Sequence, residues 1–303
     1  MNKLFVLVGL QGSGKSTFAE EYKNTNENIE IVSSDAIREE NNWEIDNNKV
    51  FDIFYKRINE FLKNGKDVIA DATNITIKAR RQLFEKVKVE SEKIAVVFNV
   101  PIGVCRSRLI KRNESSTRKV PIEVLEKYHK SFQIPFYEEG FNQIILIKEE
   151  TFSSSFHKSV LNLMEGFNQR SKYHDYDLYK HSLFVEIGVS ASVGFPVYSG
   201  LYHDIGKLFT QAIDENDEAH YYNHENVGAY YVLSHPELAT SKEHLLDLCF
   251  IINYHMMPFG WKTDKALDKW TRIFGKEEVI RLCLFNEFDK NSAKKVVETN
   301  EQG

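Results

Sequence analysis

The sequence predicts an α/β domain built on a parallel sheet, followed by an all-α domain. Short apolar runs alternate with helical patterns up to about residue 150, whereas the later residues show helical apolar spacing without strand patterns. Histidine divides the chain in the same way, because only His129 of the ten histidines precedes residue 150. A length of 303 residues fits two domains of ordinary size.

The composition is typical of a globular protein and excludes several classes. Apolar residues make up 42% and charged residues 27%, which excludes disordered, collagen-like and fibrous chains. Three cysteines, Cys105, Cys249 and Cys283, are odd in number and far apart, which argues against a disulfide framework and favours the cytoplasm. No apolar run approaches the ~18 residues of a membrane span. A net charge of −5 excludes a general nucleic-acid coating protein.

The domain boundary is predicted in the polar, Ser-rich stretch at residues 148–155. This places one domain at residues 1–150 and the other at 156–303. Residues 1–150 hold 24 Lys and Arg against 23 Asp and Glu, whereas residues 151–303 hold 15 against 21. The change in charge supports two separate units.

Five apolar runs predict the strands of the first domain: Leu4–Val8, Ile29–Val32, Val68–Ala70, Ile94–Val100 and Ile144–Ile147. Between the second and third runs, apolar residues at helical spacing from Val50 to Leu62 predict a helix that ends at Gly65. Alternating strands and helices indicate a mostly parallel sheet covered on both faces.

The segment Gly9–Ser16 follows the first predicted strand and fits G-x-x-x-x-G-K-[ST] in full. Glycines let the backbone wrap a phosphate, and the next helix offers unpaired N–H groups at its start. We expect Lys15 to reach the β- and γ-phosphates of ATP and the Ser16 hydroxyl to bind Mg²⁺. The expected cofactor-binding set is Gly9, Gly12, Ser13, Gly14, Lys15, Ser16, Thr17, Asp71 and Asn74.

Two further acidic positions suggest chemistry beside the phosphates. Asp35 ends the second predicted strand, and Arg38 follows one helical turn later, so a carboxylate could deprotonate a hydroxyl beside a guanidinium that holds an anion. Asp71 ends the third predicted strand, at the sheet edge that faces the phosphates. The alternatives are a helix cap with a surface ion pair for Asp35 and Arg38, and ordinary turn chemistry for Asp71 and Asn74.

A basic region follows. Residues 78–130 carry 14 Lys and Arg against 6 Asp and Glu. Within it, the polar stretch from Arg112 to Lys119 precedes the turn at Val120, which is typical of a lid. We expect Arg112 or Arg118 to close over the transferring phosphate, while much of the other charge is solvated helix surface.

Together, these motifs resemble the 5′-hydroxyl polynucleotide kinases of nucleic-acid end repair, over nearly all of residues 1–150. The resemblance implies a P-loop kinase domain that uses ATP and Mg²⁺ to phosphorylate a 5′-hydroxyl end. It implies that Asp35 is the general base, that Arg38 contacts substrate phosphate, and that Arg112 or Arg118 is the transition-state clamp. The lid departs from the family pattern in its spacing, so the choice between the two arginines stays open.

The second domain carries imidazole and carboxylate side chains on predicted helices. These are the ligands that a borderline or hard divalent cation prefers. A single histidine on an apolar helix is usually a core residue, but a set spaced 20 to 34 residues apart is what successive helices around one metal centre would show. The set is His181, His203, Asp204, His224, His255 and Asp289.

The dipeptide His203-Asp204, with the helix start at His224 and Asp289 near the end, resembles the HD phosphohydrolase superfamily over residues 168–293. This implies a divalent ion such as Mn²⁺, Ni²⁺, Co²⁺ or Mg²⁺ on His181, His203, Asp204 and Asp289. It also implies a second ion on His224 and His255, bridged through Asp204. By the same resemblance Lys207 holds the substrate phosphate and His174 assists. We expect the remaining histidines at the surface or at helix ends: His157, His220, His235 and His244.

The combination predicts a bifunctional end-healing enzyme similar to polynucleotide kinase-phosphatases. Ribonuclease cleavage leaves a 5′-hydroxyl and a 2′,3′-cyclic phosphate, which a ligase cannot seal, so one substrate needs both activities. The expected partners are RNA or DNA ends and a nucleic-acid ligase. Two alternatives remain: a nucleoside or metabolite kinase fused to an HD nucleotidase, and a nucleotide-sensing regulator without turnover. RNA or DNA preference, the number of metal ions and the oligomeric state stay open.

Overall fold

The computed structural model describes residues 1–115, 119–148 and 156–294. The chain divides into two compact units, Met1–Glu150 and Thr151–Gly303. Arg118 and most of the predicted linker lie outside the described residues. Among the residues that are described, no helix is both long and apolar enough to cross a membrane.

The strands of the first unit are β1 (Lys3–Val8), β2 (Ile29–Ser33), β3 (Asp67–Asp71), β4 (Glu92–Asn99) and β5 (Gln143–Lys148). Over the described part of this unit they form one parallel sheet in the order β2-β3-β1-β4-β5. In the register of the sheet, Val6 lies between Ala70 and Ala95. The predicted parallel α/β architecture is confirmed, and each predicted run overlaps one of these strands.

The helices of this unit are α1 (Lys15–Asn24), α2 (Ser34–Glu40), α3 (Asn47–Lys63), α4 (Ile77–Lys86), α5 (Ile102–Ser115) and α6 (Ile122–His129). Helix α3 shows why the sequence folds this way. Val50, Phe54 and Ile58 recur every fourth residue and are buried on one face. The Asp46 side chain accepts the Asn48 N–H at the start of the helix. Gly65, at φ +78°, follows its end in the left-handed conformation that glycine tolerates.

Two boundaries differ from the sequence prediction and move residues of interest. Strand β2 ends at Ser33, whose side chain accepts the Ala36 N–H and starts α2, so Asp35 lies in the first turn of a helix and not at a strand end. Helix α5 continues through Arg112 to Ser115, so this arginine sits on a helix and not in a loop.

The second unit is mainly helical, as predicted. Its helices are α7 (Phe156–Met164), α8 (Leu178–Ser190), α9 (Ser199–Tyr202), α10 (Lys207–Thr210), α11 (His224–Leu233), α12 (Lys242–Tyr254), α13 (Asp264–Phe274) and α14 (Lys276–Ser292). It also contains a short hairpin, β6 (Ala212–Ile213) and β7 (Ala219–His220), so the expectation of an all-α domain is wrong in this detail. The Asp214 carboxylate accepts the N–H groups of Asn216 and Glu218, which closes the hairpin turn.

Two glycines bring the helices of this unit unusually close. A Cβ atom on Gly200 would lie 2.3 Å from the backbone nitrogen of Glu186, and one on Gly206 would lie 1.9 Å from the His224 carbonyl oxygen. Only glycine fits at such distances. The segment between the two glycines, which carries His203 and Asp204, is therefore held against α8 on one side and α11 on the other.

A buried ion pair braces the first unit. The side chains of Arg80 and Glu139 are both 0% exposed, and two N–H groups of the guanidinium donate to the carboxylate, each at 2.8 Å. The remaining donors reach the backbone carbonyls of Asn74, Gln133 and Ile134. The pair therefore ties the start of α4 to the chain that follows α6.

We expect Arg80→Met to lower the free energy of unfolding of the first unit by about 3–5 kcal/mol, because it leaves Glu139 buried and unpaired. Arg81→Met is the matched control, since Arg81 is exposed and lies 3.9 Å from Glu85, and it should cost less than about 1 kcal/mol. Urea unfolding followed by Trp43 fluorescence, with the other two tryptophans replaced by phenylalanine, measures both variants. Equal losses would contradict the role given to Arg80.

Candidate phosphate and metal sites

A cavity of about 850 Å³ lies over the carboxyl ends of the strands in the first unit. Its lining joins the glycine-rich loop to side chains from several other strands and helices of this unit. From the predicted set it contains Gly12, Ser13, Gly14, Lys15, Ser16, Thr17, Asp35, Arg38, Asp71 and Arg112. The cavity therefore brings most of the predicted kinase residues together.

The glycine-rich loop has the shape that its sequence suggests. Gly12 and Gly14 have φ values of +79° and +93°, and a Cβ on Gly12 would lie 2.5 Å from the Cys105 carbonyl oxygen. The N–H of Gly9 donates to the Thr73 carbonyl at 3.2 Å, which fixes the start of the loop. The Lys15 ammonium donates to the Leu10 carbonyl at 2.7 Å, across the loop. Backbone and ammonium together form a cradle suited to an anion.

Ser16 and Asp71 meet at the base of the cavity. The Ser16 hydroxyl donates to the Asp71 carboxylate at 2.9 Å. Burial raises the pKa of Asp71, and the neighbouring Lys15 and the Ser16 hydrogen bond oppose that shift. A hydroxyl beside a carboxylate supplies the hard oxygen ligands that Mg²⁺ prefers.

Asp35 and Arg38 form the opposite wall of the cavity. The guanidinium lies 3.2 Å from the Asp35 carboxylate and also donates to the Ser34 carbonyl at 3.0 Å and to the Asn47 side chain at 2.6 Å. Arg38 is thereby held in place, whereas the Asp35 side chain is 57% exposed. The carboxylate can be reached by an incoming hydroxyl and lies beside a fixed positive charge.

The arginines of α5 complete the cavity. Arg112 lines it, and so does Arg108, one helical turn earlier, which sequence reasoning missed although the two share a helix face. The side-chain amide of Asn113 donates to the Val120 carbonyl and accepts the Val120 N–H. These two hydrogen bonds hold Val120, shortly after the undescribed residues 116–118, against α5. The prediction for Arg118 remains open.

Asn74 does not line this cavity. It is buried, with φ +44°, and its side-chain N–H groups face the carbonyls of Leu7, Ala70 and Ala72 at 2.9, 3.4 and 3.3 Å. The amide fastens the end of β3 to the end of β1, directly before the glycine-rich loop. The structure therefore gives Asn74 a bracing role and no position at the phosphates.

In the second unit, the six predicted ligands converge in one buried cluster. They come from separate elements: His181 from α8, His203 and Asp204 from the turn after α9, His224 from the start of α11, His255 from the end of α12 and Asp289 from α14. His181, His203 and Asp289 have ligand atoms within 4.8 Å of one another, as do His203, Asp204 and His255. His224 joins them through Asp204, from which its Nε2 atom lies 3.0 Å away.

Each of the four histidines in the cluster is oriented by a backbone carbonyl. Their Nδ1 atoms lie near the carbonyls of Ser292 (His181, 3.3 Å), Gly200 (His203, 2.7 Å), Tyr221 (His224, 2.8 Å) and Ile252 (His255, 2.8 Å). A carbonyl can only accept, so each Nδ1 carries the hydrogen. The Nε2 atoms then offer lone pairs toward the centre, as in histidines that ligate metals.

The Nε2 atoms surround the two carboxylates. Asp204 Oδ1 lies 3.0 Å from His224 and 3.7 Å from His255, and Asp204 Oδ2 lies 3.2 Å from His203 and 3.5 Å from His181. Asp289 Oδ1 lies 3.1 Å from His181 and 3.5 Å from His203. Within the described residues all four Nε2 atoms are buried without a well-formed hydrogen bond. Buried nitrogen lone pairs without a hydrogen-bond partner fit a cation at the common centre of these atoms.

The charges in the cluster balance without a cation only if protons are held there. Burial disfavours a charged His203, but the carboxylates of Asp204 and Asp289 outweigh it and raise the pKa of His203 to about 10. Burial likewise opposes ionisation of Asp204, yet His203 and Lys207 hold its pKa well below the usual range. A divalent cation would supply the same positive charge, and it would displace the His203 proton.

Lys207 and His174 border the cluster on one side. The Lys207 ammonium lies 2.6 Å from Asp204 Oδ2, donates to the Gln169 side chain at 2.8 Å and lies 3.4 Å from His174 Nε2. Burial and the Lys207 charge lower the pKa of His174 to about 4, so this imidazole is neutral near pH 7. The pair offers donors suited to an anion beside the cluster. Gln169 was not singled out in the sequence.

Glu186 is a second residue that sequence reasoning missed. Its carboxylate accepts the N–H groups of Tyr198, Gly200 and Leu201 at 2.9, 2.8 and 3.1 Å. It thereby caps the start of α9, the helix that leads into His203. No local motif reveals this cap, because the partners lie 12 to 15 residues away along the chain.

The other histidines lie outside the cluster. His220 lies 3.0 Å from the Asp214 carboxylate in the hairpin, His235 Nδ1 lies 2.7 Å from the Tyr231 carbonyl, and His244 accepts the Thr240 N–H. The side chain of His157 lies outside the described residues.

We expect Mn²⁺ to bind the second unit and to release protons, because Asp204 and Asp289 raise the pKa of His203 and a cation has to displace that proton. Affinity should therefore increase as the pH rises from 6 to 9. Asp204→Asn should weaken binding by more than about tenfold. Isothermal titration calorimetry in buffers of different ionisation enthalpy measures both affinity and proton release.

Asp214→Asn is the matched control, since Asp214 also pairs with a histidine but lies in the hairpin. It should bind Mn²⁺ like the unsubstituted protein. Binding without proton release, or equal affinity in the Asp204 and Asp214 variants, would contradict the assignment of the cluster as a metal site.

Comparison with known proteins finds similarity over the first unit. The family model described as AAA domain matches residues 4–135. The L-seryl-tRNA(Sec) kinase of Methanococcus maripaludis is 31% identical over 44% of this chain and 53% of its own length. The bifunctional polynucleotide phosphatase/kinase of Schizosaccharomyces pombe is 28% identical over 47% of this chain and 32% of its own. The chain therefore spans about half and one third of these relatives.

Solved structures are similar over a comparable share. A chain of the Pnkp1/Rnl/Hen1 RNA repair complex is 28% identical over 42% of both chains, with a TM-score of 0.40. A fungal RNA kinase is 18% identical over 55% of this chain and 86% of its own, with a TM-score of 0.39. Sheet order, glycine-rich loop and family match agree that residues 4–135 form a nucleotide-binding P-loop domain.

Proposed function

We propose that this chain is a bifunctional enzyme that heals nucleic-acid ends, with RNA as the preferred substrate. A P-loop kinase domain phosphorylates 5′-hydroxyl ends, and an HD-type domain removes 3′-phosphates and opens 2′,3′-cyclic phosphates. The observation that carries the dual assignment is the convergence of four histidine Nε2 atoms on Asp204 and Asp289 in a chain that also has a complete P-loop.

In the kinase domain, the loop N–H groups and Lys15 hold the phosphates of ATP, and Ser16 and Asp71 hold Mg²⁺. Asp35 accepts the proton of the 5′-hydroxyl as its oxygen attacks the γ-phosphorus, and ADP leaves. Arg38 holds the substrate phosphate next to that hydroxyl. Arg112 neutralises charge that develops on the transferring group, and electrostatic stabilisation of this kind is usually a large contribution to catalysis.

In the HD-type domain, His181, His203, Asp204 and Asp289 would hold one divalent ion. His224 and His255, together with Asp204, would hold a second. When bound, such an ion lowers the pKa of water and stabilises charge on phosphoryl oxygens. Lys207 and neutral His174 hold the substrate phosphate, with the ammonium kept in place by Gln169 and Asp204.

The curated relatives support this choice of substrate. One is named a bifunctional polynucleotide phosphatase/kinase, and the other a kinase of a seryl group carried on tRNA. Both names describe kinases that act on a polynucleotide or on a group carried by tRNA. Because the healed ends are those that ligation requires, we propose a nucleic-acid ligase as the partner in the pathway.

The test uses an RNA with a 5′-hydroxyl and a 2′,3′-cyclic phosphate. We expect Lys15→Ala to lower 5′ phosphorylation by at least about a hundredfold, because the charge that faces the phosphates is lost, and to leave 3′ processing unchanged. Asp204→Ala should instead lower 3′ processing and leave 5′ phosphorylation unchanged. Gel separation of end-labelled products, with and without a metal chelator, measures both reactions.

Matched controls are Lys23→Ala, on the same helix as Lys15 but paired with Glu30, and Asp214→Ala in the hairpin. Neither should affect either reaction. Loss of both reactions in one variant would contradict two independent sites. Faster phosphorylation of a free nucleoside than of the RNA would favour a metabolite kinase instead.

A further inference from the structure

A second cavity, of about 240 Å³, opens beside the catalytic cavity of the first unit. It is a groove between α3, the chain after β3 and one face of α4. Four residues line both cavities: Asn47, Phe51, Ala72 and Thr73. The groove therefore continues the catalytic cavity away from the glycine-rich loop, which does not line it within the described residues.

The shared residues connect the groove to the acceptor side of the catalytic cavity. Asn47 accepts a hydrogen bond from Arg38 at 2.6 Å, and the Arg38 guanidinium lies 5.9 Å from the centre of the Phe51 ring. Arg38 in turn lies beside Asp35. A substrate whose hydroxyl reaches Asp35 would therefore place its neighbouring group at the mouth of the groove.

The groove has an apolar floor and a polar rim. Phe54, Tyr55 and Ala72 are buried in the floor. The rim consists of four exposed side chains: Asn48, Asp52, Gln82 and Lys86. In the part of the chain that the structure describes, the side-chain amides of Asn48 and Gln82 make no hydrogen bond. Two free amides, each with a donor and an acceptor, suit the edge of a planar heterocycle.

Charge and size narrow the choice of ligand. The rim carries one carboxylate and one ammonium group, so it has no excess positive charge for a phosphate. The volume of the groove is below the roughly 300 Å³ at which pockets for drug-sized ligands begin. A single planar ring system fits this space better than a complete nucleotide.

We propose that this groove binds the base of the nucleoside that carries the 5′-hydroxyl. The ring of Phe51 offers a face for stacking, and the amides of Asn48 and Gln82 read the edge of the base. The proposal rests on the proposed kinase function and specifies its substrate: an end with a base, and not a small polyol or an abasic sugar.

The experiment compares Asn48→Ala/Gln82→Ala with the control Lys56→Ala/Glu85→Ala, which changes exposed residues on the same two helices outside the groove. Two 5′-hydroxyl oligonucleotides are used, identical except that one lacks its first base. Fluorescence anisotropy measures their binding in the presence of a non-hydrolysable ATP analogue, and steady-state kinetics measures KM and kcat.

We expect the groove variant to raise the Kd and KM of the complete oligonucleotide by about tenfold, from the loss of two hydrogen bonds, with kcat and the KM of ATP unchanged. The abasic oligonucleotide should bind the unsubstituted protein weakly. It should bind the groove variant with the same weak affinity, because removing the base and removing the two amides eliminate the same contact. The control variant should behave like the unsubstituted protein.

Equal binding of the complete oligonucleotide to the groove and control variants would overturn the groove assignment, as would an equal loss for the abasic oligonucleotide. Failure of the proposed function is distinguishable from this. If the unsubstituted protein binds the oligonucleotide but transfers no phosphate to it, the kinase assignment falls, while the binding data still decide the groove.

Discussion

The Asp204 carboxylate is the group around which the second unit is organised. Its side chain is 3% exposed, and a buried carboxylate without compensation would be strongly unfavourable. Compensation comes from Lys207 at 2.6 Å and from the positive charge, whether protons or a cation, held by four imidazoles from α8, the turn after α9, α11 and the end of α12. Helices that are far apart in sequence must therefore pack so that these groups meet. The cluster of predicted metal ligands is thus part of the core of this unit.

The cavity of the first unit contains less buried charge than the cluster around Asp204. Asp71 lies at a strand end, where Ser16 and Lys15 offset its burial. Its other charged groups of interest, Asp35 and Arg112, are exposed to the cavity. The contrast follows from the chemistry: a phosphate arrives with its own charge and must be able to leave, whereas a structural carboxylate can stay buried.

The sequence could predict the role of a residue where its partners lie nearby along the chain. The glycine-rich loop, the alternation of strands and helices and the His203-Asp204 pair are local patterns, and the structure contains each of them. Asn74, Glu186 and Gln169 act through partners distant in sequence, so no local pattern revealed their roles. The position of Asp35 was misjudged because a single serine cap decides where β2 ends. Arg108 was overlooked although its spacing from Arg112 was visible.

The most direct test of the account is anomalous X-ray diffraction from crystals soaked in Mn²⁺. The account predicts a peak in the second unit within about 2.3 Å of Nε2 atoms of His181 and His203 and of a carboxylate oxygen of Asp289 or Asp204. Density that shows these imidazoles turned away from one another, or a peak only at surface carboxylates, would contradict it. In that case only the nucleotide-binding unit would keep an assigned role.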